Sequence, residues 1–169
     1  MRLSTDRLII KPLNPEEARE FVYAVAENSS LDDLVIPPDM ITPAHISYLT
    51  DEFYPRLKKQ RVNFLFYTTW LIIRKETNLL TGQFLFNGLP DPSGKVEAQF
   101  ELHPQERKKG YMHEALSKIT DWCRNDGRVK TLIAETDPEM EEPNAFLEKF
   151  GFVRDIEQPG YIMWQYRLS

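Results

Sequence analysis

The chain has 169 residues, with 26 acidic and 21 basic side chains and a formal net charge of −5. This length predicts one domain spanning residues 1–169, and the negative charge argues against a protein that holds nucleic acid by neutralising phosphates. One cysteine and three scattered histidines exclude a disulfide framework and a structural zinc site. Because the sequence contains neither an apolar run of about 18 residues nor a signal-peptide pattern at its start, we expect a soluble cytoplasmic protein that does not bind membranes.

The first half of the chain predicts one strand and two helices. A branched apolar run at residues 7–11 is typical of a strand, and Asn14-Pro15 then supplies a helix cap followed by proline at the first helical position. Residues 28–41, rich in proline, serine and aspartate, predict a loop. Thr42-Pro43 repeats the capping pattern for a second helix, which Pro55 should kink or end.

The second half alternates strands with helices. The predicted strands are 70–74, 83–86, 95–102, 129–134, 152–154 and 161–168, and the predicted helices are 111–126, closed by Gly127, and 144–150, closed by Gly151. The order β-α-α-β-β-β-α-β-α-β-β, with hairpins in the middle and strand-helix-strand crossovers, predicts an α+β fold. We expect a central mixed sheet of six to seven strands with helices on both faces.

A basic turn precedes the long helix. Arg107-Lys108-Lys109-Gly110 lies between the strand that ends at Leu102 and the helix that begins at Tyr111. A helix N-terminus presents unpaired N–H groups and a positive dipole end, and glycine permits close approach of an anion. A diphosphate would fit this turn, but on these residues alone the same pattern more often indicates an ordinary strand-helix turn.

Several segments in order along the chain resemble one family. Phe100-Glu101-Leu102-His103-Pro104, followed by Arg107-x-x-Gly110-Tyr111-Met112-x-Glu114-Ala115, resembles the acetyl-CoA signature of the GCN5-related N-acetyltransferase superfamily. TDRLIIKPL at 5–13, Val96-Glu97-Ala98-Gln99-Phe100 and LEKFGF at 147–152 resemble segments of its ribosomal-protein N-acetyltransferase branch. The resemblance covers residues 5–152.

This resemblance implies transfer of an acetyl group from acetyl-CoA to a primary amine, without a metal. The pantetheine arm would lie between the strands at 95–102 and 129–134, which diverge in the family. Glu97 is the expected catalytic base, with Glu101 on the same strand face in reserve. The expected cofactor-binding residues are Leu102, Arg107, Lys108, Lys109, Gly110, Tyr111, Met112 and His113.

The segment before the last helix departs from the family pattern. Met140 and Pro143 stand where the family usually has asparagine and serine. Leu147 stands where other branches of the superfamily have a tyrosine that acts as the general acid. We expect residues 137–142 to form a loop, with Asn144 pointing away unless that loop shifts. An alternative function is therefore a non-catalytic acyl-CoA-binding or sensor module.

The acceptor amine remains open. A protein N-terminus and a small cationic amine both fit the acidic charge, and aspartates in the 28–41 loop favour a cation. The acidic residues at 137–142 could attract an amine, but a solvated surface is the favoured interpretation. The sequence leaves monomer and homodimer equally open.

Overall fold

A computed structural model describes residues 1–168 as one mixed sheet of eight strands with helices on both faces. The sheet order is β1-β2-β3-β4-β5-β6-β8-β7. Among these strands β5 and β6 pair in parallel, and every other neighbouring pair is antiparallel. The strands are β1 Leu3–Ser4, β2 Leu8–Pro12, β3 Thr69–Arg74, β4 Leu79–Phe86, β5 Lys95–Leu102, β6 Thr131–Thr136, β7 Val153–Gln158 and β8 Tyr161–Arg167.

Five α-helices cover the sheet, and the N-terminal caps of the first two follow from the sequence. They are α1 Pro15–Ala26, α2 Pro43–Ser47, α3 Tyr54–Leu57, α4 Tyr111–Asp126 and α5 Glu141–Phe150. The Asn14 side chain accepts from the Glu17 N–H at 2.8 Å, and the Glu17 carboxylate accepts from the Asn14 N–H at 3.0 Å. This reciprocal capping box and the predicted Thr42 cap of α2 are both present.

The predicted disruption at Pro55 takes the form of a change in helix type. A π-helical segment, Tyr48–Phe53, joins α2 to α3, and Pro55 is the second residue of α3. Proline lacks an N–H and its ring clashes with the carbonyl four residues earlier in a regular α-helix. The wider π turn just before it accommodates both constraints.

Two apolar cores lie on opposite faces of the sheet. On one face, α4 and α5 pack against a cluster that includes Trp70, Phe84 and Phe86, all fully buried. On the other, α1 and the α2–α3 segment pack against Leu71 and Leu80. Adjacent strand residues point to opposite faces, so β3 and β4, which lie inside the sheet, contribute to both cores.

The structure corrects three details of the sequence interpretation. The sheet gains the short strand β1, because Thr5 accepts a hydrogen bond from the Leu8 N–H and turns residues 3–4 back against β2. The strand predicted at 83–86 instead begins at Leu79, and Gly82 lies inside it beside a register shift, where a Cβ would clash with the Glu101 carbonyl oxygen. The strand predicted at 129–134 is instead Thr131–Thr136.

Helix α5 begins three residues earlier than expected. The predicted loop at 137–142 is shorter, because Glu141 already starts the helix and Pro143 is its third residue. Proline is tolerated there, since the first N–H groups of a helix have no partner inside the helix. Within residues 1–168, no helix has both the length and the apolar character needed to cross a membrane.

Candidate active site

The parallel strands β5 and β6 separate partway along their length. Their pairing extends from Lys95 opposite Thr131 to Glu97 opposite Ile133 and then stops. On its other side β5 stays paired with β4 through Leu102. The divergence that the family resemblance implies is therefore present, and it leaves a cleft along the second half of β5.

Main-chain groups of β5 face this cleft. The Asn87 N–H donates to the Glu97 carbonyl at 2.9 Å, so Glu97 directs its main-chain groups towards the β4 side. Main-chain direction alternates along a strand, so Phe100 directs its N–H and carbonyl towards the opposite side, where pairing with β6 has ended. An extended amide-containing chain can bind such an edge as a strand does.

The basic turn leads directly from β5 to the N-terminus of α4. Lys108 and Gly110 have positive φ angles of 63° and 82°, and Gly110 is the residue that caps the helix. The Glu114 N–H donates to the Gly110 carbonyl at 3.1 Å, as the first hydrogen bond of the helix. The N–H groups of the first three helical residues, Tyr111 to His113, therefore have no partner inside α4 and point out of its N-terminus.

Each of the three basic residues of the turn is held by a partner. The Arg107 Nε donates to the Leu102 carbonyl at 3.2 Å. Lys108 pairs with Glu142 at the start of α5 at 2.9 Å, and Lys109 pairs with Glu106 at 3.2 Å. The predicted residues thus lie together at one end of the cleft, with cationic groups grouped around the helix N-terminus.

Glu106 fastens this turn to the sheet. Its side chain is 7% exposed and accepts from Arg74 of β3 at 3.2 Å as well as from Lys109. A carboxylate this deeply buried needs charged partners, and it has two. Sequence reasoning missed Glu106 because its partner on β3 lies far away along the chain.

Arg7 and Glu114 are a second pair that sequence reasoning missed. The Arg7 Nε donates to Glu114 Oε2 at 2.7 Å, and the Arg7 Nη1 donates to the Lys109 carbonyl at 3.0 Å. Burial alone would raise the pKa of Glu114, but hydrogen bonds from Thr5 and Arg7 hold that pKa below its ordinary value. No local pattern could have shown this contact, because 107 residues separate its two partners.

Glu97 lies where β5 and β6 separate. Its side chain is half-buried, and its carboxylate accepts from Asn87 at 3.4 Å and approaches the Gln99 amide at 3.5 Å. Glu101 shares the same strand face and accepts from Gln83 at 2.9 Å. The structure therefore brings Glu97 to the vertex of the cleft and Glu101 towards the basic turn.

The segment before the second helix lies over the end of β5. Asp39 accepts from the His103 Nε2 at 2.6 Å, which links the 28–41 loop to the residue that follows β5. Burial lowers the pKa of His45, and the nearby Glu101 carboxylate opposes that shift. Asp39 and Glu101 thus border one side of the cleft with negative charge.

Asn144 does not point away from the site region. It is 8% exposed, and its amide donates to the carbonyls of Asp137 and Pro138 at 3.1 and 3.3 Å. Its Oδ1 accepts from Thr136, whose hydroxyl also accepts from Trp164 at 2.8 Å. Asn144 reaches these partners because α5 begins early, and it orders the β6–α5 loop despite the departures at 140 and 143.

The remaining sequence expectations concern single side chains. Met112 is 7% exposed, so its side chain packs into the core while its N–H stays at the helix end. Leu147 is buried and supplies no acid. Across residues 1–168, no three His, Cys, Asp or Glu side chains lie close enough together to hold a metal ion.

A mixed sheet whose parallel strands diverge beside a helix N-terminus has the architecture of GNAT-like N-acyltransferases. Comparison of the sequence with family models identifies the family itself. The model described as the Acetyltransferase (GNAT) domain matches residues 7–153, and the chain belongs to that family. Enzymes of this family use acetyl-CoA to acetylate amines.

Similar sequences and structures agree with this assignment. The chain is 29% identical over 100 residues to the uncharacterized N-acetyltransferase YjdG of Bacillus subtilis, an alignment that covers 59% of this chain and 60% of that relative. It is 23% identical over 153 residues to the uncharacterized N-acetyltransferase YoaA of the same organism, covering 90% of this chain and 83% of that one.

Two solved structures are similar to it over nearly their whole length. The ribosomal-protein-S5-alanine acetyltransferase from Vibrio fischeri has a TM-score of 0.71 at 14% identity, with 99% of this chain and 96% of that chain covered. The ribosomal L7/L12 alpha-N-protein acetyltransferase RimL, in complex with coenzyme A, has a TM-score of 0.68 at 12% identity, with 99% and 98% covered. At these identities the likeness shows the shared fold.

Proposed function

We propose that this chain is an N-acetyltransferase that moves an acetyl group from acetyl-CoA to a primary amine, either a protein N-terminus or a small cationic amine. The observation that carries this proposal is the separation of β5 from β6 beyond Glu97, immediately beside the N-terminus of α4. Family membership supports the reaction class. The cleft and the helix end supply the two features that a long anionic thioester requires.

The residues around the cleft fit acetyl-CoA. The diphosphate would be held by the basic turn and by the free N–H groups of Tyr111, Met112 and His113. Gly110 is exposed, and the Lys108 side chain is 79% exposed, so both residues are accessible to an anion. The pantetheine amides would pair with the free edge of β5 from Phe100 to Leu102. When bound, acetyl-CoA supplies an activated acyl group with a thiolate leaving group.

Glu97 is proposed as the base that takes a proton from the amine. An alkylammonium is mostly protonated at neutral pH and must become neutral before it can attack a carbonyl. Glu97 lies at the vertex of the cleft, and its half-buried carboxylate has two amide neighbours and no cation within salt-bridge distance among the described residues. It can therefore accept a proton from an incoming amine.

The negative side of the cleft supports a cationic acceptor. Asp39 and Glu101 border it, and the chain as a whole carries a charge of −5. These charges would attract an ammonium and repel an acidic peptide. Peptides with a basic second residue, polyamines and aminoglycosides are therefore the acceptors to test first.

Release of free CoA from acetyl-CoA in the presence of these amines tests the proposal. We expect turnover with at least one of them, and Glu97→Gln should lower kcat by about 100-fold while leaving acetyl-CoA affinity within about twofold. Glu157→Gln, on the exposed edge strand β7, is the matched control and should leave kcat unchanged.

One outcome would contradict the role of Glu97, and another would contradict the proposed acetyltransferase function. If kcat of Glu97→Gln equals that of the wild type, Glu97 is not the base, and Glu101→Gln then tests the reserve candidate. If acetyl-CoA raises the melting temperature but no amine in the panel is acetylated, the chain is a non-catalytic acyl-CoA-binding module. The exposed Met140 and Pro143 at the expected asparagine and serine positions are the observation that favours this second function.

A further inference from the structure

Arg7 reaches the N-terminus of α4 from the opposite end of the chain. Its guanidinium donates to the Lys109 carbonyl at 3.0 Å and to Glu114 at 2.7 Å, and its Cζ lies 4.5 Å from the centre of the Tyr111 ring. Its Nη2 would be 3.4 Å from a Cβ added at Gly110. One side chain therefore touches the turn before, at and after the residue that caps the helix.

The negative charge of Glu114 is unfavourable for a phosphate at this end of α4, and Arg7 neutralises that charge. Its carboxylate lies in the first turn of α4, where it stabilises the helix dipole but repels any phosphate at the same helix end. The side chain is 20% exposed, so water screens its charge only in part. The guanidinium and main-chain N–H of Arg7 and the hydroxyl of Thr5 all donate to this carboxylate.

We propose that Arg7 and Glu114 form a brace that positions the Lys109–Tyr111 turn for the diphosphate of acetyl-CoA, with Arg7 as a positioning residue. The inference rests on the proposed function. Arg7 fixes the Lys109 carbonyl, so the next N–H groups point out of the helix end, and it neutralises Glu114. Loss of the Arg7 side chain would release the turn and leave the Glu114 carboxylate beside the phosphates without a cationic partner.

Three variants measured by calorimetric titration with acetyl-CoA test the brace. Arg7→Ala should raise the Kd about tenfold, with kcat at saturation within about twofold of the wild type. Arg7→Lys should be intermediate, because an ammonium keeps the charge but cannot contact both partners in the planar geometry of arginine. Arg124→Ala is the control: Arg124 pairs with Asp121 and donates to the Leu168 carbonyl at 2.9 Å, at the other end of the same helix.

Acetyl-pantetheine, which lacks the diphosphate, separates positioning from general damage. The KM of Arg7→Ala for acetyl-pantetheine should equal that of the wild type, while the KM for acetyl-CoA rises. Equal losses for both substrates, or an unchanged Kd for acetyl-CoA, would overturn the brace. If the wild type binds no acetyl-CoA, the proposed function is contradicted. If the wild type and the Arg7→Ala variant bind acetyl-CoA equally well, only the brace is contradicted.

Discussion

Replacing Gly110 by alanine is a direct perturbation of the proposed diphosphate site. Gly110 caps α4 with a φ of 82°, a conformation that glycine adopts freely and that an L-residue adopts only at a cost. The added methyl would lie 3.4 Å from the Arg7 Nη2, which is close to ordinary contact. The substitution therefore adds backbone strain without a severe clash.

The expected losses of stability and of acetyl-CoA affinity follow from this backbone strain. The left-handed conformation costs alanine roughly 1 kcal/mol more than glycine. For a chain of this length, a loss of about 1 kcal/mol lowers the Tm by about 2–4 °C. Relief of the strain would rotate the N–H groups at the helix end, and loss of one charged hydrogen bond to phosphate weakens binding by about tenfold or more.

Gly127→Ala provides a matched control at the C-terminus of the same helix. Gly127 has a φ of 81°, and no atom of the described residues lies within 4 Å of an added Cβ. Both variants should lose a similar amount of stability in thermal unfolding, but calorimetry should find weaker acetyl-CoA binding in Gly110→Ala alone. Equal acetyl-CoA affinity in the two variants would refute the placement of the diphosphate at Gly110.

Three further predictions concern stability and reactivity. Asn144→Ala should lower the free energy of unfolding by about 2 kcal/mol in chemical denaturation, because the buried polar groups that Asn144 contacts lose their hydrogen-bond partner. The control Glu148→Ala, at an exposed position, should change the free energy of unfolding by less than about 0.5 kcal/mol, and equal effects of the two substitutions would contradict the role of Asn144 in ordering the loop. Burial raises the pKa of Cys123 to about 12, so a thiol reagent at pH 8 should modify Cys123 no faster than the protein unfolds. Rapid labelling of the native protein would contradict this prediction. The lowered pKa of Glu114 means that its stabilising contribution is present above its ordinary pKa and lost as the pH falls through the folded pKa. The Tm difference between wild type and Glu114→Gln should therefore shrink from pH 7 to pH 3, and a constant difference would exclude this linkage.

Elements with local signals could be predicted from the sequence alone. Strand β5 and helix α4 have the predicted bounds, 95–102 and 111–126, because alternation, a glycine at each end of the helix and an amphipathic stripe all lie within those segments. The two caps at Asn14 and Thr42 were equally local. The divergence of β5 from β6 came from the family resemblance, since periodicity says nothing of where two strands stop pairing.

Features that depend on distant residues could not be predicted. The contacts of Arg7 with α4 and of Arg74 with Glu106 join segments far apart in the chain. Gly82 lies just outside the strand predicted at 83–86, because no local pattern shows that the Glu101 carbonyl comes so close that only glycine fits there. The start of α5 was misplaced because proline in the first turn of a helix and proline before a helix give the same local pattern.

Hydrogen exchange of the wild-type protein with and without acetyl-CoA tests the central claim most directly. If the cofactor lies along the free edge of β5 and at the N-terminus of α4, acetyl-CoA should slow amide exchange in peptides covering residues 99–103 and 108–114. The exposed edge strand β7, at residues 153–158, should be unaffected and serves as an internal reference. Binding of acetyl-CoA that protects other segments and leaves 108–114 unchanged would contradict the account.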